Sequence, residues 1–355
     1  FGFKMNSFEC VATVEILQKR LNIQKYNNKC KYISGYIGED ITLDSTKNKI
    51  REQLKKFNID NKKNQLDVLI ATPPCQGMSV ANHKKNNEIN RNSLVTESII
   101  LTKEIKPKFF VYENVRSFLK TECTDTDGVT KPIKEAIESN LSSEYNIIYH
   151  IINFKDYGCP SSRTRTLVIG TRKDLKEVSP YSIFPSKYIQ KTLFETIGHL
   201  DSLKVMGEIS KSDIFHSFRK YTPEMRNWIK NLKQGESAFD NKNPSNRPHK
   251  VIDGEIIQNA RKNGDKYTRQ VWDKVAPCIH TRNDILSSQS TIHPKDDRVF
   301  SIRELMLMMT IPDTFKWSEL DFDTLNNISL TEKRKYLKEE ELNIVSAFEA
   351  LGKKL

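Results

Sequence analysis

Cys75 stands in Thr72-Pro73-Pro74-Cys75-Gln76, directly after the apolar run Asp67-Val68-Leu69-Ile70-Ala71. Proline fixes its own φ and restricts the residue before it, so the thiol sits on a stiff turn at low entropic cost. The thiolate is the reactive form of cysteine, and a thiol so presented could act as a covalent nucleophile. A buried cysteine in a proline turn is the structural alternative, and the pentapeptide alone does not separate the two. Glu113 opens Glu113-Asn114-Val115 at the end of a second apolar run, Lys108-Phe109-Phe110-Val111-Tyr112. A carboxyl there is ordinarily a cap or half of a salt bridge. Held near neutral charge beside a nucleophilic thiol, it could instead donate a proton to a ring nitrogen. Arg163 and Arg165 alternate in Ser161-Ser162-Arg163-Thr164-Arg165. On a strand they would share one face, suited to phosphate and carbonyl oxygens, or else form a basic edge that resists aggregation.

These residues need elements to position them. Val11-Ala12-Thr13-Val14-Glu15 reads as a strand ending on an acid, and residues 67–71 and 108–112 as two more. Between the last two, Ser93 to Ile105 carries Leu94, Ile99, Ile100, Leu101 and Ile105 at helical spacing. Strands alternating with helices predict an α/β fold with a mostly parallel, doubly wound sheet. Ligands gather at the carboxyl ends of strands in such sheets, where Glu15, Cys75 and Glu113 all fall. Ile147 to Phe154 and Thr166 to Gly170 are a predicted strand pair across the turn-like Tyr157-Gly158-Cys159-Pro160. Beyond Arg172 the chain turns polar and is broken by Gly and Pro, as in Lys242-Asn243-Pro244-Ser245-Asn246-Arg247-Pro248. We expect a first domain over 1–175, a smaller irregular domain over 176–285, and a segment over 286–355 returning to the first. Helices are predicted at Ser301 to Met309 and Glu339 to Leu351.

The 355 residues carry a net charge of +12. A basic excess fits a polyanionic partner, although a lysine-rich solvated surface gives the same balance. No apolar run approaches the roughly 20 residues that span a bilayer, and the first residues are no secretory signal, so a soluble intracellular (cytoplasmic) protein is expected. The six cysteines are scattered without Cys-x-x-Cys pairs or Cys/His clusters. That pattern predicts no metal site and reads five of them as reduced thiols.

Taken together, the motifs resemble the DNA cytosine-5 methyltransferases of bacterial restriction-modification type. Pro74-Cys75-Gln76, Glu113-Asn114-Val115 and Arg163-x-Arg165 occur in that family's order and approximate spacing. Gly2-Phe3 with the run ending at Glu15, Gly38-Glu39-Asp40-Ile41 and Arg91-Asn92-Ser93-Leu94 are similar to its cofactor segments. Arg298-Val299-Phe300-Ser301-Ile302-Arg303-Glu304, continuing to Ile311-Pro312-Asp313-Thr314-Phe315, is similar to the element supporting its second domain. The numbered chain starts just after the family's Gly-rich cofactor loop, Ser161 stands where the family has Gln, and Glu349-Ala350-Leu351-Gly352 matches the C-terminal element weakly.

The resemblance implies a Rossmann-like methyltransferase sheet with a target-recognition domain, and S-adenosylmethionine as cofactor, converted to S-adenosylhomocysteine. Glu15 would hold its ribose, Asp40 and Ile41 would lie at the adenine, and Ile16, Pro74 and Leu94 would line the pocket. Cys75 would add to C6 of a cytosine flipped out of double-stranded DNA, Glu113 would bind N3, Arg165 would hold O2 and Arg163 the nearby backbone. Residues 77–92 would form a mobile loop over the base. Gln76, Ser79, Arg269 and Arg282 would contact DNA, with Lys84-Lys85, Arg219, Lys220, Arg226 and Arg247 as further candidates. His293 reads as structural. A monomer is expected, with any cognate restriction endonuclease acting separately and no membrane partner. Two rivals stand beside this reading. One is a transfer-RNA substrate, against which the RNA-acting branch's Cys-Phe-Thr signature is missing here. The other is an inactive DNA-binding relative.

Overall fold

A computed structural model describes residues 2–60, 63–74, 93–261, 265–280 and 282–338. They form two compact units, residues 2–153 with Thr164–Ser186, and Phe154–Arg163 with residues 187–338. This division differs from the expected one, because residues 286–338 group with the second unit. Among the described residues no helix is long and apolar enough to cross a membrane. The predicted helix at Glu339 to Leu351 lies outside the described residues.

In the first unit, β1 (Thr13–Val14) pairs in parallel with β2 (Tyr36–Ile37). They are interleaved with α1 (Gln18–Tyr26) and α2 (Asp44–Lys56). Asp44 in the first turn of α2 and Lys55 and Lys56 in its last complement the helix dipole. Next come β3 (Val68–Ala71), α3 (Leu94–Ile105), β4 (Phe109–Asn114), the short hairpin of β5 (Glu122–Thr124) and β6 (Thr130–Pro132), α4 (Ile133–Leu141), β7 (Tyr145–Asn153) and β8 (Thr164–Arg172). Helix α3 stops where Lys106 turns left-handed, at φ 50°, just before Pro107.

The main sheet has the order β3-β4-β8-β7. Strands β3 and β4 are parallel, while β8 runs antiparallel to both of its neighbours. Three strands therefore run one way and β8 alone reverses between them. The predicted α/β class and strand pair hold, with Gly158 at φ 87° in the connecting turn. One sheet face presents Phe110, Tyr112 and Val168 to Val95 and Ile99 of α3 and to Ile133, Ala136, Ile137 and Leu141 of α4, all buried. Phe110 lies opposite Gly170 on β8. A Cβ on Gly170 would lie 2.0 Å from the Phe110 ring, so that ring occupies the space a side chain would need.

The second unit has little regular structure. Among its described residues, helices α5 (Leu193–Ile197), α6 (Pro223–Ile229), α7 (Ile302–Met308) and α8 (Phe322–Asn327) are short, residues 330–338 are also helical, and one hairpin joins β9 (His249–Ile252) to β10 (Glu255–Gln258) through Asp253-Gly254. An apolar cluster including Leu203, Phe218, Trp228, Ile229, Tyr267, Ile292 and Val299 forms its core. Beside the cluster lies a buried ionic network. Arg298, 1% exposed, donates from Nη1 and Nη2 to the two Glu304 oxygens at 2.8 Å each. Glu304 also closes a capping box with Ser301 at the start of α7. His293 Nδ1 accepts backbone N–H groups of Lys295 and Asp296 at 3.2 and 2.8 Å, which fixes that nitrogen as an unprotonated acceptor. Burial lowers His293 from its ordinary 6.5 to about 4. Burial opposes the charge on Glu304, but the Arg298 guanidinium outweighs it and brings that carboxyl to about 2.

Two stability predictions follow from this packing. Gly170→Ala should cost about 1–3 kcal/mol in urea denaturation by overpacking against Phe110; an unchanged midpoint would contradict the contact. His293 is the second case. The unfolded chain takes up a proton near pH 6.5, whereas the folded one resists until about 4. Folding stability should therefore fall as pH drops through that window. Glu304, with its folded value also depressed, adds a further loss from 4.5 toward about 2. His293→Asn keeps an acceptor without the proton, so its urea midpoint should vary less with pH across the upper window; a wild-type slope in the variant would refute the assignment.

Candidate active site

The reversal of β8 builds the site. Its amino end, at Thr164 and Arg165, lies beside the carboxyl end of β4, with Asn114 opposite Thr166 and Glu113 opposite Leu167. Glu113 and Arg165 thus lie on one face, diagonally across two strands. Glu113 is 5% exposed, and its Oε1 is 2.9 Å from Arg165 Nε. Arg165 also donates from Nη1 to the Thr164 carbonyl at 2.7 Å. A buried carboxylate without a cation would carry a desolvation penalty of several kcal/mol, and the guanidinium offsets it. Glu113 is one half of an ion pair.

Asn114 was read only as part of a motif, yet its side chain connects the two strand ends. Its Nδ2 donates to the Pro73 carbonyl at 2.9 Å, and its Oδ1 accepts from the Val115 N–H at 2.8 Å. Pro73 precedes Cys75 by two residues, so the end of β4 holds the turn that leads to the thiol. An amide side chain flanking a strand-end acid was the available signal. Cys75, Gln76 and Ser79 lie outside the described residues, as do the proposed loop at 77–92, with Lys84 and Lys85, and Thr281.

Two of the cofactor candidates, Glu15 and Asp40, share one end of the small parallel sheet of the same unit. Glu15 and Asp40 follow the parallel strands β1 and β2 at their carboxyl ends. Glu15 caps the chain beyond β1 by accepting the Leu17 N–H at 3.1 Å, and Asp40 accepts the N–H and hydroxyl of Thr42 at 2.9 Å each. Ile16 is 61% exposed, whereas Ile41 packs against the cluster of Ile37, Ile50 and Ile105. Pro74 is exposed and Leu94, at the start of α3, is half-buried. Among the described residues no group of three or more His, Cys, Asp or Glu side chains could hold a metal.

Two expectations about arginines change. Strand β8 begins at Thr164, so Arg163 stands one residue before it and belongs to the second unit. There it is buried and donates to the Ile279 carbonyl at 3.3 Å, rather than sharing a strand face with Arg165. Arg269 is corrected from a DNA contact to a structural residue. It is 3% exposed and donates to the carbonyls of His293, Asp296 and Ile229 and to Asp297 Oδ1, at 2.6–3.0 Å. Arg282 is exposed. Of the remaining candidates, Arg219 is paired with Asp284 at 2.9 Å, Arg226 donates to the Lys204 carbonyl, Arg247 donates to the Asn241 carbonyl at 2.6 Å, and Lys220 is exposed.

Residues 1–329 match the family described as C-5 cytosine-specific DNA methylase. Type II methyltransferase M1.HgaI of Avibacterium volantium is 35% identical over 268 residues, which covers 71% of this chain and 71% of that protein. Type II methylase M.HgiDII of Herpetosiphon aurantiacus is 26% identical over 331 residues, covering 92% of this chain and 85% of that protein. Among solved structures, a DNA modification methyltransferase encoded within an E. coli prophage superposes with a TM-score of 0.58 at 19% identity, over 94% of this chain and 91% of that one. The structural likeness speaks for the fold, and the sequence match for the family. The chain belongs to the C-5 cytosine-specific DNA methylase family and is a DNA cytosine-5 methyltransferase.

Proposed function

We propose that the enzyme methylates C5 of a cytosine flipped out of a specific double-stranded DNA sequence, through a covalent bond between Cys75 Sγ and ring carbon C6. The observation that carries this reading is the tie from Asn114 to Pro73 at 2.9 Å, on the strand whose Glu113 is ion-paired with Arg165. It sets the turn before Cys75 alongside the acid and the base-binding cation. The names of relatives as Type II methyltransferases favour a restriction-modification setting, with a cognate endonuclease acting separately on the same sequence.

Cytosine C5 is a poor nucleophile until the ring's aromaticity is broken. Addition of the Cys75 thiolate at C6 does this by making C5 part of an enamine; once C5 carries the methyl group, loss of the C5 proton to a base or solvent re-forms the 5,6 double bond and expels the thiolate. Arg165 is a donor only, so its guanidinium suits the O2 carbonyl of the base. As Arg165 turns toward that oxygen, Glu113 loses part of its counter-charge, takes a proton from solvent and donates it to N3. S-adenosylmethionine, when bound, supplies the methyl group as an electrophile and becomes S-adenosylhomocysteine. The carboxyl ends of β1 and β2 suit that cofactor, because Glu15 and Asp40 are acceptors for ribose and adenine donors, and exposed Ile16 offers an apolar surface for the adenine ring. Pro74 and Leu94 are assigned to the same pocket. Arg163 is assigned to positioning through its bond to the Ile279 carbonyl, and Gln76, Ser79 and Arg282 to the DNA.

Trapping on DNA containing 5-fluorocytosine tests the covalent step, since fluorine at C5 cannot leave as a proton. With cofactor present, the wild-type enzyme should give a denaturation-resistant adduct on duplex DNA, and Cys75→Ser none. An undiminished adduct in that variant, or methyl incorporation into transfer RNA in place of DNA, would sink the reading. Asn114→Ala tests the positioning. Because small misplacements of a reacting group carry large rate costs, kcat should fall about 10- to 100-fold while DNA binding is kept. Unchanged kcat with a confirmed substitution would show that the Pro73 tie is incidental to catalysis.

A further inference from the structure

The first unit holds a second pair of chemically reactive groups, ahead of its first two strands. Cys10 and Cys30 are opposite each other in a parallel bridge just before β1 and β2, and their sulfurs lie 3.5 Å apart. Directly opposed residues on neighbouring strands are about 4.8 Å apart, within the roughly 4.4–6.8 Å between α-carbons that a disulfide spans. The surrounding backbone holds them in this arrangement. The Cys30 N–H donates to the Tyr36 hydroxyl at 2.8 Å. Cys10 Sγ lies 3.4 Å from the Ala12 carbonyl oxygen, and Cys30 Sγ 3.6 Å from that of Gly35. A Cβ on Gly35 would come within 2.7 Å of the Val11 carbonyl and 3.2 Å of Cys30 Cβ, so the two segments approach as closely as a glycine permits.

We propose that Cys10 and Cys30 are a reversible oxidation site, at which a low-molecular-weight disulfide converts the two thiols into an intramolecular cross-link between the starts of the first two strands. Cys10 is partly exposed and Cys30 is buried, so Cys10 reacts first. The Cys10 thiolate attacks one sulfur of the small disulfide and expels one thiolate, leaving a mixed disulfide on Cys10. Cys30 then loses its proton, attacks the Cys10 sulfur and expels the second thiolate. Two electrons pass from the protein to the small disulfide, which leaves as two thiols carrying the two protons. The hydrogen bond with Cys10, together with burial, pushes the Cys30 thiol up, in keeping with Cys30 as the resolving partner. The cross-link ties positions 20 residues apart, at the opposite ends of β1 and β2 from Glu15 and Asp40. It therefore constrains the unfolded chain without occupying the strand ends assigned to cofactor.

The test uses the full chain equilibrated with oxidised and reduced glutathione, followed by alkylation of remaining thiols and peptide mass mapping. A Cys10–Cys30 linked peptide is expected, reversed by dithiothreitol, together with a higher melting temperature for the oxidised protein. Cys10→Ala and Cys30→Ala should each lose both the linked peptide and the shift. Separate alkylation of both cysteines at every glutathione ratio, or a glutathione adduct that stays on Cys10, would overturn the proposal. The mapping on the unaltered chain decides the matter even where a variant fails to fold, and it does not depend on how Cys75 behaves.

Discussion

A carboxylate buried at the end of a strand needs a cation, and the first unit is organised around supplying one to Glu113. Arg165 reaches it because β8 enters the sheet in reverse, which brings that strand's amino end against the carboxyl end of β4. Had β8 run parallel to β4, its amino end would lie at the far edge of the sheet and Glu113 would face the penalty of an uncompensated buried charge. The register matters as much as the direction, because a slip of one residue turns every side chain to the other face. Phe110 filling the space over Gly170 opposes such a slip, since no other position of β8 offers the ring a missing Cβ. Packing on the helix-covered face of the sheet thus sets the geometry of the charged pair on the other.

The same logic explains why the end of β4 carries an acid and an amide in succession. Adjacent residues on a strand point to opposite faces. Glu113 can therefore face Arg165 while Asn114 holds the Pro73 carbonyl with one end of its amide and the Val115 N–H with the other. A short strand end so equipped controls both the electrostatics of the site and the exit path of β3. The parallel pair β1–β2 is a separate module, joined to the rest through the apolar cluster of Ile37, Ile50 and Ile105. Its acids lie at one end and its cysteine pair at the other.

Much of this was legible in the chain because local pattern and chemistry coincide at strand ends. The apolar runs before Thr72 and Glu113, and the helical spacing from Leu94 to Ile105, match β3, β4 and α3 to within a residue or two. What the pattern could not show were properties decided by distant residues. Arg269 lies in a polar stretch and reads as a surface cation, yet it is buried because carbonyls from Ile229, His293 and Asp296 converge on it. The alternation of Arg163 and Arg165 suggested one strand face, but the strand starts between them and Arg163 is held by Ile279. Cys10 and Cys30 looked unrelated because only the pairing of β1 with β2 brings them together.

The second unit shows how a region with few regular elements can still be well defined. Helices α5 to α8 are short, so backbone hydrogen bonds within them cannot organise the loops, and the apolar cluster gives cohesion without direction. Direction comes from the buried charges. Glu304 accepts both ends of the Arg298 guanidinium and the Ser301 N–H, so one carboxylate fixes a helix start and the segment before it. Asp296 bonds the Leu203 N–H at 3.0 Å and pairs with Arg298, which brings a third segment into register. His293 completes the network only as a neutral ring, since protonation would set its Nδ1 proton against two backbone N–H groups. A network of this kind is costly to leave half-satisfied, and that cost is what makes alternative loop arrangements unfavourable.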